Sequence, residues 1–446
     1  MRHLVAAAAA TLLLAVPAAA QETNTTVTGW TKAPGPRSWD RLEVTKTGPS
    51  SAKTVLVLVP GTAGGRGDFT LVARDLVKEV QGLQVWSVDR RSQRLEDTSV
   101  FEQAIKGQAS LQQMFDYYLG WIGNSNIQPH FQAPDPQKHL FMGRWGLQVQ
   151  LEDVRRVVKA ASRGGRRVVL GGHSLGASVA VAYAAWDFAG TPGYKDLDGL
   201  VLIDGGLRGS FNGADLKEAK RLKPQVERQP WLDLLGIGLP WTSGVFAEAG
   251  AILTLKDPTG PSVAQAFNLL PPQFKPPVPA TNRGLFGYAF DESSSPKALS
   301  LIHVRAGTLA AEGDPRDWAD GEVTPVQRLA ETFGGEPANA VEWYFPRRLT
   351  LDVDAASALS MTPAARYLKL RLRHARKARL PLYALQTSLT GGRVLKGAKS
   401  FARLAGIKRP TLVDASSEQS HLDPLTAAPE RNRFLTTVAP FLRNLP

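Results

Sequence analysis

Cysteine is absent from this 446-residue chain. That absence excludes a disulfide scaffold, a Cys-ligated zinc site, an iron–sulfur cluster and a thiol nucleophile together. Histidine is scarce, with seven residues. There is no H-E-x-x-H motif and no His pair at ligand spacing, so no metal is expected. Gly-rich dinucleotide and Walker-type phosphate motifs are also missing, and no cofactor is expected. After the first twenty residues no apolar run is long enough to span a bilayer, so no integral membrane segment is expected in the mature chain. Acidic residues are the minority charge, 40 against 53 Lys and Arg, for a net charge of +13. Such an excess can serve nucleic acid or an anionic surface. The densest basic run is Arg366, Lys369, Arg371, Arg373, Arg376, Lys377 and Arg379. Only Tyr367 interleaves it and no nucleic-acid motif accompanies it, so no nucleic-acid partner is expected. A solvated face is the favoured reading, with contact between the 366–379 run and an anionic surface as the alternative.

Apolar residues make up 43% of the chain, the range of globular proteins. The chain opens on charged Met1-Arg2-His3, continues apolar from Leu4 to Val16, and reaches Ala18-Ala19-Ala20 after Pro17. This pattern predicts a secretory signal peptide over residues 1–20, and hence a secreted or periplasmic protein. Residues 21–52 are polar and rich in Pro, Gly and Thr, a leader with room for an edge hairpin.

Thr54 to Val59 is a continuous β-branched and apolar run ending at Pro60-Gly61, as expected of a strand buried on both faces. A helical stretch over Phe69–Val80 and a second short strand, Leu83–Val88, complete a strand–helix–strand unit. Phe101 to Trp145 is irregular and aromatic. An amphipathic helix, Leu151–Ala161, then leads to a third buried strand, Val168–Leu170. A small-residue helix over Ala177–Phe188 and a fourth strand, Leu200–Ile203, follow. Strand–helix alternation then stops for about 170 residues, too long for a structureless loop, so residues 207–378 are read as a mainly helical cap insertion. Alternation returns with a strand at Leu380–Leu385, a helix at Phe401–Ile407, a last strand at Pro410–Asp414 and a closing helix from about Pro429 to Leu442. The expected organisation is a signal peptide (1–20), a leader (21–52), a core first part (53–206), the insertion (207–378) and a core second part (379–446).

Gly172-His173-Ser174-Leu175-Gly176 forms a G-x-S-x-G pentapeptide. Its context decides its meaning. A buried strand enters it and a small-residue helix leaves it, which is what a strained strand-to-helix turn presenting a serine hydroxyl requires. The turn needs small flanking residues because neighbouring backbone comes close. A serine nucleophile needs a base. In this architecture the acid and then the histidine follow the serine in sequence, which leaves His303, His374 and His421. His303 sits in an apolar stretch and His374 among cations. His421, in a polar loop after the last strand, is the candidate base. The third member orients the imidazole. Asp204, at the end of the fourth strand, is preferred; Asp414 and Glu418 are the alternatives. An oxyanion hole needs two backbone N–H donors. Leu175 is one. Thr62, in the Gly-rich loop after the first long strand, is the other, with Ala63 next.

On these residues the chain resembles the α/β-hydrolase superfamily, in particular secreted lipase- and esterase-like members with a GHSLG elbow. The resemblance covers residues 53–206 and 380–442. It implies an α/β fold with a mostly parallel sheet of about eight strands and helices on both faces. It also implies a Ser174–Asp204–His421 triad and hydrolysis through an acyl-enzyme. Three departures stand out. The oxyanion loop begins Pro60-Gly61 rather than His-Gly. The penultimate strand offers no carboxylate. The insertion matches no known cap. The expected substrate is a small-molecule or lipid-like ester with a hydrophobic part. A peptidase or amidase, or a non-catalytic binding protein on the same scaffold, is the alternative function.

Overall fold

The computed structural model describes residues 21–446 apart from 211, 212, 322 and 337. The expected signal peptide lies outside the described residues. The polar leader forms a hairpin of β1 (Glu22–Thr28) and β2 (Arg41–Thr47). The core strands are β3 (Thr54–Val59), β4 (Leu83–Val88), β5 (Arg167–His173), β6 (Gly199–Ile203), β7 (Leu382–Gln386) and β8 (Thr411–Asp414). They join into one eight-stranded sheet in the order β1-β2-β4-β3-β5-β6-β7-β8. The β1–β2 and β2–β4 pairs are antiparallel, and every pair from β4 to β8 is parallel.

The apolar runs build this sheet because the central strands, β3 to β7, bury both faces. All six residues of β3 are buried. Val55, Val57 and Val59 enter one apolar cluster, while Leu56 and Leu58 enter the opposite one. The same period of two divides Leu200 and Leu202 from Val201 and Ile203, and Leu382 and Ala384 from Tyr383 and Leu385. Each fully buried Val or Leu contributes about 1.5–3 kcal/mol of hydrophobic stabilisation. Helix α1 (Thr70–Glu79) covers one face through Val72 and Leu76. Helices α2 (Leu147–Ala161) and α3 (Leu175–Ala185) cover the other. All eleven residues of α3 are buried, which its Ala, Gly, Ser and Val content permits.

Between β6 and β7 the chain makes its long excursion. This contains α4 (Leu216–Arg228), α5 (Thr242–Lys256), α6 (Asn282–Phe290), a two-stranded ribbon (Gly307–Gly313 with Arg316–Asp320), α7 (Val326–Gly334) and α8 (Arg347–Ala356). The connection is mainly helical, and it grips both faces of the sheet. Leu349 and Val353 of α8 join the α2–α3 cluster, whereas Val326 and Leu329 of α7 join the α1 cluster. The irregular Phe101–Trp145 region is not detached either. Phe101, Tyr118 and Phe131 pack around Trp343 of the connection, with Trp241 at the edge.

The longer helices after β7 are α9 (Arg393–Ala405) and α10 (Arg433–Arg443). The expected Phe401–Ile407 helix captures only the last turns of α9. Its first turns carry Arg and Lys on the outer face, which conceals the buried Val394, Ala398 and Phe401 stripe. The closing helix begins at Arg433 rather than Pro429, because the Asn432 side chain accepts the Leu435 N–H and caps it there.

Candidate active site

Ser174 follows the last residue of β5 and precedes the first of α3. Its backbone angles, φ 54° and ψ −122°, are rare for a residue with a side chain and cost on the order of 1–3 kcal/mol. The Ser174 N–H donates to Ile203 O at 2.8 Å, which holds the turn against β6. The glycines of the pentapeptide are required by close approach. A Cβ on Gly176 would lie 1.9 Å from Val59 O, and one on Gly172 would lie 2.3 Å from the Gly176 carbonyl carbon.

Asp204 leaves β6 directly beside this turn and is fully buried. Its N–H donates to Leu385 O at 2.9 Å. Its carboxylate accepts three bonds: from Thr387 N–H at 2.8 Å, from the Thr387 hydroxyl, and from His421 Nδ1 at 2.5 Å. Burial alone would raise its pKa. The His421 hydrogen bond and charge, with the two Thr387 donors, outweigh burial and hold the carboxyl below the usual carboxylate range. An ionised Asp204 can only accept, so the proton of this hydrogen bond sits on His421 Nδ1. Nε2 makes no hydrogen bond among the described residues, to the Ser174 hydroxyl included. Nucleophile–base bonds are often long before substrate arrives.

His173 supports His421 from the other side. The rings lie 4.3 Å apart, and His173 Nε2 donates to His421 O at 2.9 Å. Burial, then the proximity of His421, push the His173 pKa down to about 3, so it is a neutral strut. The His421 loop is also tied to the long connection. Leu422 N–H donates to His303 O at 3.0 Å, and Asp423 accepts from Ser420 N–H at 2.6 Å, Arg305 N–H at 3.0 Å and the Thr324 hydroxyl at 2.7 Å.

The alternatives for the acid stand elsewhere. Asp414 is exposed and accepts from Ser416 N–H and the Gln386 amide. Glu418 is exposed. The loop carrying Thr62 passes over the serine, where a Cβ on Gly61 would lie 3.0 Å from Ser174 Cβ. The N–H groups of Thr62 and Ala63 find no acceptor among the described residues, while Gly64 and Gly65 donate to Gly61 O and Ala340 O. Leu175 N–H finds no acceptor among the described residues; it lies in the first turn of α3, where the helix dipole adds partial positive charge.

A cavity of about 1080 Å³, its opening included, starts at this loop. Thr62, Ala63, Gly64 and Leu422 line it at the site, and Phe246, Leu253, Leu285, Phe286, Phe290 and Phe333 line its walls. Asp68 is a polar exception, buried beside the loop with its Oδ2 2.2 Å from where a Gly64 Cβ would stand. Burial, only partly offset by Arg90, raises the Asp68 pKa well above the carboxylate range. The exposed basic run lies elsewhere. It meets the C-terminal end of α3 through Trp186–Leu372 pairing and the Asp187–Arg373 contact at 3.6 Å, about 16 Å of helix from Ser174.

Sequence reasoning did not find Thr387, His173, Asp423 or Asp68. Thr387 could have been found. It ends the strand where a carboxylate was sought, and β7 is the neighbour of β6. Nothing local marks Asp423, whose partners Arg305 and Thr324 lie in the connection.

The profile of the alpha/beta hydrolase family matches residues 56–429, a span that takes in the turn, Asp204, His421 and the connection. The chain belongs to the alpha/beta hydrolase family. Curated proteins supply no matching relative. Solved structures that it resembles include a lipase candidate from Sulfolobus solfataricus, at 14% identity over 94% of this chain and 93% of that one, with a TM-score of 0.49. Epoxide hydrolase A from Mycobacterium thermoresistibile aligns at 12% identity over 96% and 99%, with a TM-score of 0.45. An alpha/beta hydrolase fold protein from Nakamurella multipartita aligns at 13% identity over 94% and 99%, with a TM-score of 0.41. Among the described residues no helix is long and apolar enough to cross a membrane.

Proposed function

We propose that this hydrolase cleaves carboxylic esters bearing a hydrophobic group, through a covalent acyl-enzyme on Ser174. The observation that carries the reading is the buried Asp204–His421 pair at 2.5 Å beside a serine held at positive φ, under a loop that lines an apolar cavity. His421 Nε2 takes the Ser174 hydroxyl proton as Oγ attacks the ester carbonyl. The oxyanion accepts from Leu175 N–H and from Thr62 N–H, with Ala63 N–H as the adjacent donor. The tetrahedral adduct collapses, the C–O bond to the alcohol breaks, and His421 returns its proton to the departing oxygen. Water then repeats the sequence and releases the acid. Asp204 stays ionised throughout and stabilises the imidazolium. The apolar walls favour a hydrophobic acyl or alkyl chain. Hydrolysis of p-nitrophenyl esters over a series of chain lengths tests the reading. Ser174→Ala should lower kcat by about 10⁴-fold or more; undiminished turnover would overturn it.

The first twenty residues are proposed as a cleavable export signal, on their charged start, apolar run and Ala18-Ala19-Ala20. Amino-terminal sequencing of exported protein should begin at Gln21. An intact Met1 on exported protein would contradict cleavage.

A further inference from the structure

Arg90 follows β4 and is buried, yet it carries a full guanidinium into the loop above Ser174. Its Nη2 donates to Pro60 O at 2.5 Å and to Gly61 O at 2.9 Å. Its Nη1 donates to Gly64 O at 3.1 Å and to Glu342 Oε2 at 2.7 Å. One planar fork thus holds three carbonyls of a five-residue loop and one carboxylate from the long connection. Glu342 is fixed in turn by the Ser92 hydroxyl. The backbone beside it pairs with the same loop: Gly65 N–H donates to Ala340 O at 2.7 Å, Glu342 N–H donates to Ala63 O at 2.8 Å, and Gly64 bridges Val341.

The consequence follows from peptide geometry. In a trans peptide the C=O of one residue and the N–H of the next point in opposite directions. Turning the Gly61 carbonyl toward Arg90 therefore turns the Thr62 N–H away from it. Gly61 itself lies against Ser174. The carbonyls of Pro60, Gly61, Ala63 and Gly64 are all engaged by Arg90 or by the connection, whereas the N–H groups of Thr62 and Ala63 are left without acceptors among the described residues. A loop with its acceptors occupied and two adjacent donors free suits a developing negative charge.

We propose that Arg90 is a positioning residue that aims the Thr62 N–H as oxyanion donor, and that Glu342 makes this aim depend on docking of the connection. The inference rests on the serine-hydrolase reading above. Lysine offers its donors from a single point and cannot reproduce the fork. Arg90→Lys should therefore lower kcat about 10²-fold, the scale of losing one oxyanion donor, with KM on a short p-nitrophenyl ester changed by less than about threefold. Glu342→Gln keeps an acceptor but loses the charge and should lower kcat about tenfold. Rates are expressed per Ser174 titrated to completion with a fluorophosphonate, so misfolded protein does not count. Fluorophosphonate should also react with Arg90→Lys more slowly than with wild type, in proportion to kcat. A lower melting temperature with kcat per titrated site unchanged would make Arg90 merely structural and overturn the proposal. A raised KM with kcat intact would overturn it as well. If Arg90→Lys fails to fold, Glu342→Gln decides: a kcat loss at unchanged melting temperature supports the proposal, and an unchanged kcat overturns it. Wild-type Ser174 that resists the fluorophosphonate would overturn the serine reading itself, and this inference with it.

Discussion

The sheet and the long β6–β7 connection obey different logics. In the sheet, the central strands β3 to β6 are specified by their own neighbours: short apolar runs ended by Gly, Pro or Asp. In the connection, the residues that matter are specified by partners far away. Arg90 and Glu342 are 252 positions apart, and Arg305 and Asp423 are 118 apart. Yet the sheet presents the chemistry only because the connection braces its loops. The oxyanion loop leans on residues 340–342, and the His421 loop leans on His303, Arg305 and Thr324. The comparison teaches that the connection is more than a roof over a finished site.

The largest expected effect tests the sheet side. Asp204→Asn should lower kcat by about 10⁴-fold, because His421 loses its fixed tautomer. Asp414→Asn should change it by less than about threefold, since its exposed carboxylate bonds Ser416 and Gln386 and not His421. Ester hydrolysis kinetics measure both, and a reversed pattern would move the acid to the next strand.

A smaller effect tests the connection's brace. Asp423→Ala leaves the N–H groups of Ser420 and Arg305 without their acceptor, which costs about 1–3 kcal/mol for each buried group. We expect a lower melting temperature together with a kcat drop of about 10–100-fold, because His421 is the neighbour of Ser420. Full activity in the folded variant would show that the loop holds its shape without the connection.

Next comes the cavity, whose walls belong almost wholly to the connection. Ala289→Phe should lower kcat/KM for long-chain esters by about 10-fold or more while leaving short-chain esters nearly unchanged. A uniform loss at all chain lengths would place the chain outside this cavity.

The smallest effect is on stability. Burial, then the proximity of His421, pushes the His173 pKa from its ordinary 6.5 down to about 3 in the folded protein. The unfolded state binds the extra proton between these values, so this contribution to stability is complete above 6.5 and is lost as the pH falls toward 3. His173→Gln keeps a donor toward the His421 carbonyl but cannot titrate. Its melting temperature should fall less steeply on acidification than that of wild type. Parallel curves would contradict the assigned neutral strut.

The fold was readable where local pattern suffices. Short, mostly apolar runs announced β3 to β6, and the G-x-S-x-G turn between strand and helix marked Ser174 as the candidate nucleophile. Asp204, at the end of the strand beside the elbow, was the preferred candidate acid over Asp414 and Glu418, and the fold brings it within 2.5 Å of His421 Nδ1. Thr387 went unnoticed because a carboxylate was sought at β7, whereas that strand supplies donors to its neighbour's carboxylate. The ribbon at Gly307–Asp320 was missed because its strands are short, part exposed and weakly apolar. Nothing local marks Arg90 and Glu342, which only folding buries together.

The central claim is that Ser174, activated by His421 and Asp204, is the nucleophile. Treatment with a fluorophosphonate followed by peptide mass spectrometry tests it most directly. The account predicts one covalent adduct, on Ser174, formed by wild type and lost or greatly slowed in His421→Ala. An unmodified Ser174 in folded wild-type protein, or modification at an unchanged rate without His421, would contradict it.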